Sequence, residues 1–200
     1  MTMVLIDHSP VWVLADLDAD PLEWARATIL DRAAQEQVDL PGDQAQLLAE
    51  VLVPALESAR HDEVRPLMVL FLLPEADEPA VCSVTVRADG FVDGVTLEEL
   101  LEELRLPVEM LERPALEETV ETAVGPATHL IQRYRAPVNA EYELVQEHEV
   151  YVWRVVVDEG VLGIYLSTSY LDLVEAGQWR PELAELAASL TLEADDAGQE

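Results

Sequence analysis

Two hundred residues, half of them hydrophobic, suffice for one domain with a substantial core and are too apolar for a disordered chain. The chain has 41 acidic against 11 basic residues, the latter all arginine, and a formal charge of -30. That excess repels phosphate and anionic lipid, which argues against nucleic acid and membrane surfaces as partners. The one cysteine, Cys82, excludes an intramolecular disulfide and a Cys-rich metal site.

The opening residues, Met1 to His8, have no basic stretch followed by a long apolar one, so no secretory leader is expected there. Val11-Trp12-Val13-Leu14 is a short extended candidate. Asp20-Pro21-Leu22-Glu23 starts a helix: Asp20 caps, Pro21 suits the first helical position, and Leu22, Ala25, Ile29, Leu30 and Ala33 form an apolar face. Pro41-Gly42 breaks the chain, and Asp43 opens a second helix with Leu47, Leu48, Val51, Leu52, Ala55 and Leu56 at helical spacing. Pro54 lies inside it, where a kink or early break is expected.

The period then becomes extended. The run from Val64 to Leu73 reads as a buried strand, and its longest apolar stretch, Leu67 to Leu73, is far short of the roughly 20 residues of a membrane-spanning helix. A cytoplasmic protein is therefore expected. Val81 to Arg87 alternates Val81, Ser83, Thr85 and Arg87 on one face with Cys82, Val84 and Val86 on the other, before a turn at Asp89-Gly90. Thr96-Leu97-Glu98-Glu99 is a capping box for a short helix with Leu97, Leu100, Leu101 and Leu104. Arg105 to Glu117 reads as a long loop.

Leu116 to Val124 and Ala127 to Arg135 are strands around Gly125-Pro126. Val150 to Val157 and Val161 to Ser167 flank Asp158-Glu159-Gly160, a hairpin signal. Pro181 starts a last helix with Leu183, Leu186, Ala187 and Leu190, and Trp179 stands just before it. The polar residues from Glu193 to Glu200 read as a disordered tail. Strands joined by short turns pair antiparallel, so the expected fold is α+β: one domain over 1–192 with about six antiparallel strands and helices on the sheet faces.

Three segments carry a resemblance: ETAVGPATHLIQRYRA (121–136), YVWRVVVDEGVLGIYLSTS (151–169) and WRPELAELAASLTLE (179–193). A Gly-containing turn leading a strand, a long hairpin and a closing helix resemble the C-terminal half of Mog1/PsbP-like proteins, many actinobacterial members of which have no assigned function. The resemblance implies an α/β/α sandwich around an antiparallel sheet and a binding or scaffolding role. It carries no functional residue across.

Among residues that could carry chemistry, Asp16-Leu17-Asp18-Ala19-Asp20 alternates carboxylates. The Gly and Glu that a calcium loop needs at its sixth and twelfth positions are Pro21 and Ala27, so a capping loop is expected instead. His8, His61, His129 and His148 show no metal-ligand spacing. Cys82 reads as a small core residue, Ser167-Thr168-Ser169 has no nucleophile-elbow glycines, and no phosphate-binding glycine loop occurs. Glu98, Glu99, Glu102 and Glu103 read as a solvated helix face. No catalytic group, cofactor or metal is expected.

His129, Arg133 and Arg135 share strand parity, the two arginines being a rare local concentration of positive charge, and with Tyr134 and Trp153 they are the candidate contacts for a partner or ligand. Trp153 also reads as a sheet-face residue covered by a helix. The leading expectation is a non-enzymatic protein-interaction or scaffolding domain. The alternative is a small-molecule binder or uncommon enzyme with a pocket between the sheet and the N-terminal helices. A third reading is a homodimer paired through the hairpin 150–167 at a sheet edge. The acidity reads as a proteome-wide habit of solubility or as steering towards a basic partner.

Overall fold

β-branched runs of period two and apolar runs of helical period divide the chain into strands and helices that pack within two units. The computed structural model describes residues 2–7, 12–61, 67–73, 80–91, 94–137, 143–158, 160–170 and 173–194. Contacts group the chain into two compact units, Pro10–Val86 and Met1–Ser9 with Arg87–Glu200, a division that no linker in the sequence announces.

The smaller unit holds β2 (Trp12–Leu14), α1 (Pro21–Gln35), α2 (Gly42–His61), β3 (Leu67–Leu73) and the first part of β4 (Ala80–Phe91); β1 (Thr2–Ile6) belongs to the larger unit. β2 pairs with β3 and β3 with β4, both antiparallel. Asp20 caps α1 as expected, its Oδ1 accepting from the Glu23 amide at 3.0 Å. The two helices pack through Ala25 and Ile29 of α1 and Ala45, Ala49, Leu52, Leu56 and Ala59 of α2.

Three alanines on the contact face of α2 let the backbones approach closely. The face is rotated from the one expected, and Leu47 and Val51 are exposed. Pro54 does not end the helix: α2 continues through it to His61, with Pro54 exposed. On β4, Cys82, Val84 and Val86 are buried and the alternate residues are not, as the pattern predicts. The segment 64–66 lies outside the described residues.

The larger unit is an antiparallel sheet in the order β4–β8–β7–β6–β5, formed with β5 (Leu116–Thr122), β6 (Gly125–Pro137), β7 (Glu143–Val157) and β8 (Gly160–Tyr170). Asp89 and Gly90, read as a turn, are instead part of β4, which runs on to Phe91. The β7–β8 hairpin is present, and Gly160 takes the positive φ (141°) that the tight connection requires. It is not an edge: β7 lies between β6 and β8, and β8 lies beside β4.

Helices cover both faces of this sheet. α3 (Leu97–Glu102), capped by the expected Thr96–Glu99 box, lays Leu100 and Leu101 over Leu130, Val150, Val152 and Tyr165. α4 (Leu173–Ala188) packs against β7 and β8 from the other side. It begins eight residues before Pro181, and Trp179 is buried within it rather than ahead of it. A second, two-stranded sheet pairs β1 with β9 (Leu190–Ala194), register Thr2↔Ala194 to Ile6↔Leu190. Glu193 and Ala194 are therefore strand rather than tail; the remaining tail lies outside the described residues. The expected loop 105–117 contains a 3-10 turn at Val108–Met110 and an isolated bridge from Leu111 to Tyr134.

Gly163 of β8 sits where a side chain fits only if its neighbours give way by a few tenths of an ångström. A Cβ there would lie 3.0 Å from the Tyr165 hydroxyl, 3.2 Å from Phe91 and 3.3 Å from Leu100. Gly163→Ala is expected to lower stability by about 1–3 kcal/mol by overpacking, read as a lower urea midpoint with an unchanged slope.

Candidate functional site

The β6–β7 register sets Arg133 opposite Glu147, Ile131 opposite Glu149, His129 opposite Tyr151 and Ala127 opposite Trp153. Odd-numbered residues of both strands therefore share one face, the face that α4 reaches through Arg180. In the middle of it two carboxylates are buried, Glu147 at 1% and Glu149 at 0% exposure. An unpaired carboxylate there would cost several kcal/mol in lost hydration, so its position depends on its partners.

Those partners are four cations from three parts of the chain. Glu147 Oε2 accepts from Arg133 Nε at 3.2 Å and Nη2 at 2.9 Å, and from Arg113 Nη2, ahead of β5, at 3.3 Å. Its Oε1 accepts from Arg180 of α4. Arg180 Nε also donates to Glu149 Oε2 at 3.1 Å, so one guanidinium joins the two carboxylates. Glu149 Oε1 is 2.7 Å from His129 Nε2, and His129 Nδ1 is 3.0 Å from Glu118 Oε1 of β5.

The His129 ring stacks on Tyr151, centroids 4.2 Å apart and planes 8° from parallel. Burial alone would lower the His129 pKa, but hydrogen bonds to Glu149 and Glu118, with their charges, outweigh it and raise the value above the usual imidazole range. Burial, reinforced by the nearby Glu149 and Glu118 charges, pushes the Tyr151 phenol up to about 12.

The candidate residues separate here. His129 and Arg133 join the network. Arg135 lies on the same face but binds Glu112 at 3.1 Å, near the solvent. Tyr134 is on the opposite face and donates to Gln146 at 2.9 Å. Trp153 is fully buried, its indole N–H donating to Thr122 at 2.9 Å, and Thr122 in turn donates to the Gly125 carbonyl at 2.7 Å. It therefore fastens the β5–β6 turn instead of marking a surface. His129, Arg133 and Tyr134 all belong to the larger unit, whereas α1 and α2 belong to the smaller one.

Sequence reasoning missed Glu147, Glu149, Arg180, Arg113 and Glu118. The visible signal was the alternation Glu147–Glu149–Tyr151–Trp153 at strand spacing; reading it as a buried row needed the β6 register.

Chemically the network is closed. Both ring nitrogens of His129 face carboxylates, and both oxygens of each buried carboxylate are engaged by cations. No group of three or more His, Cys, Asp or Glu among the described residues is placed to hold a metal ion, and no helix among them is long and apolar enough to cross a membrane.

One other feature of this unit is open to solvent. β5 is the last strand of the order, its outer edge has no ladder partner among the described strands, and Leu116 to Thr119 and Glu121 are exposed.

Removing a buried charge should expose the dependence. Glu147→Ala leaves three arginines facing an uncompensated site and is expected to cost about 3–5 kcal/mol, measured by urea unfolding. Arg135→Ala, at the exposed pair with Glu112, is expected to cost no more than about 1 kcal/mol in the same assay.

No protein-family model matches the chain, and a search of curated proteins finds no match.

Proposed function

We propose that this chain is a non-enzymatic protein-interaction domain whose edge strand β5 accepts a basic, extended segment of a partner protein. The observation that carries the reading is the exposed outer edge of β5 with Glu117, Glu118 and Glu121 along it. An open edge offers backbone donors and acceptors to an added strand, which supplies affinity, while side-chain charge selects the partner.

The charge has a consistent sign. A chain of net charge -30 draws basic partners from a distance and repels acidic ones. Two copies of β5 placed edge to edge would oppose like charges, which disfavours self-pairing there. The arginines near the sheet are poor receivers of an acidic partner, because Arg113, Arg133 and Arg180 already neutralise Glu147 and Glu149. The closed network around His129 supports a non-catalytic reading, since proton transfer to a substrate would require breaking one of its ion pairs. The resemblance of the C-terminal segments to Mog1/PsbP-like proteins agrees with a binding role.

The test is capture from native lysate at about 0.15 M salt. The wild-type chain is expected to retain a protein partner that elutes as salt is raised. Thr119→Lys with Glu121→Lys, both changes at exposed positions of β5, is expected to weaken that retention at least about tenfold. Equal retention by the variant, or no partner on the wild type, would sink the proposal.

A further inference from the structure

We propose that His129 is a proton-operated latch on the edge strand β5: with both ring nitrogens protonated it holds Glu118 of β5 against the buried Glu149 of β7, and loss of the proton frees Glu118 and loosens the strand. The geometry carries this. The ring is 4% exposed and lies between two carboxylate oxygens, 3.0 Å and 2.7 Å from its two nitrogens. A protonated imidazole donates from both nitrogens; a neutral one donates from one and turns a lone pair on the other carboxylate. One of the two contacts must then become repulsive.

The two carboxylates are unequal. Glu149 is 0% exposed and also held by Arg180 of α4, so it cannot move into water. Glu118 is 54% exposed on the outermost strand and can. The remaining N–H therefore stays with Glu149, and Glu118 is released.

The groups facing the ring from each side set the sign. Glu118 comes from β5, Glu149 and Tyr151 from β7, and Arg180 from α4, which also touches Glu147. Tyr170 of β8, opposite Glu147, interacts with Arg180. Tyr151 keeps its proton over the range concerned. The two carboxylates favour the imidazolium, in agreement with the upward shift at His129. The folded form thus binds this proton more tightly than the unfolded chain. Its stabilisation is fully present below about pH 6.5, the ordinary imidazole value, and is lost as pH rises through the raised folded value. The inference does not depend on what β5 binds.

The experiment is a titration of the histidine rings of the full chain by NMR, with amide hydrogen exchange in β5 measured on either side of the His129 transition and corrected for the intrinsic rate. The His129 resonance is assigned in the wild-type chain by sequential triple-resonance spectra, with its loss in His129→Gln as a check. Protection of β5 amides is expected to fall about tenfold across the transition, the factor supplied by one charge-assisted hydrogen bond, while protection in the centre of β7 changes less. In Glu118→Gln, altered only at the exposed partner, His129 is expected to titrate at lower pH and the fall in β5 protection to shrink. Titration of wild-type His129 at or below pH 6.5 would overturn the proposal. So would β5 protection that stays flat through the transition, or a fall of full size in Glu118→Gln. His129→Gln is not needed to fold for the decision, because Glu118→Gln leaves every buried group in place.

Discussion

The pair of buried carboxylates on β7 is the constraint on which the larger unit depends. Glu147 and Glu149 lie where water does not reach, and hydration they give up must be replaced by charge and hydrogen bonds from the protein. The replacements come from β6 (Arg133 and His129), from α4 (Arg180) and from the segment before β5 (Arg113). Four parts of the chain must be in position together, or a carboxylate is left bare. The network thus ties helix to sheet and strand to strand at one point. It also penalises slippage: a one-residue shift of β7 would carry both carboxylates to the opposite face, beneath α3 and beside Leu130 of β6 and Tyr165 of β8, away from Arg113, Arg133 and Arg180.

The same network decides what the surface has to offer. Arg113, Arg133 and Arg180 are three of the eleven cations in the chain, and all three converge on Glu147. Of the sequence's apparent basic patch, only Arg135 remains well exposed, and it faces Glu112. Acidic groups lie along β5, and Arg105 ties Glu98 and Glu117 together beside it. A reading based on local clusters of arginine points to an acidic partner. Counting the partners each arginine already has reverses the sign.

The elements were readable where the signal is local. The Asp20 cap, the Thr96–Glu99 box, the alternation of β4 and the β7–β8 turn each depend on a few consecutive residues, and each is found as expected. The failures share a cause: tertiary pairing overrode a local stop signal, or supplied an element with no local signal at all. Asp89-Gly90 looks like a turn but continues β4, and Pro181 looks like a helix start but lies inside α4, a helix that packs on β7 and β8. β1 and β9 pair residues almost two hundred positions apart, which no short window can detect. The site behaved likewise. His129 and Arg133 were identified as unusual from their parity, but Glu147 and Glu149 resemble an ordinary solvated pair until β6 is laid beside them.

Burial of charge and exposure of an edge are two consequences of one strand order. β7 is flanked by β6 and β8 and covered by helices, so its polar residues must be matched internally; β5 has a neighbour on one side only among the described strands, so its polar residues can be left to solvent. His129 stands at the boundary between these regimes, with one nitrogen towards the buried Glu149 and the other towards the exposed Glu118. A neutral residue there could satisfy one neighbour, and a permanently charged arginine would hold both at every pH. Histidine alone makes the attachment of the edge depend on a proton, because its charge is the one that changes near neutrality.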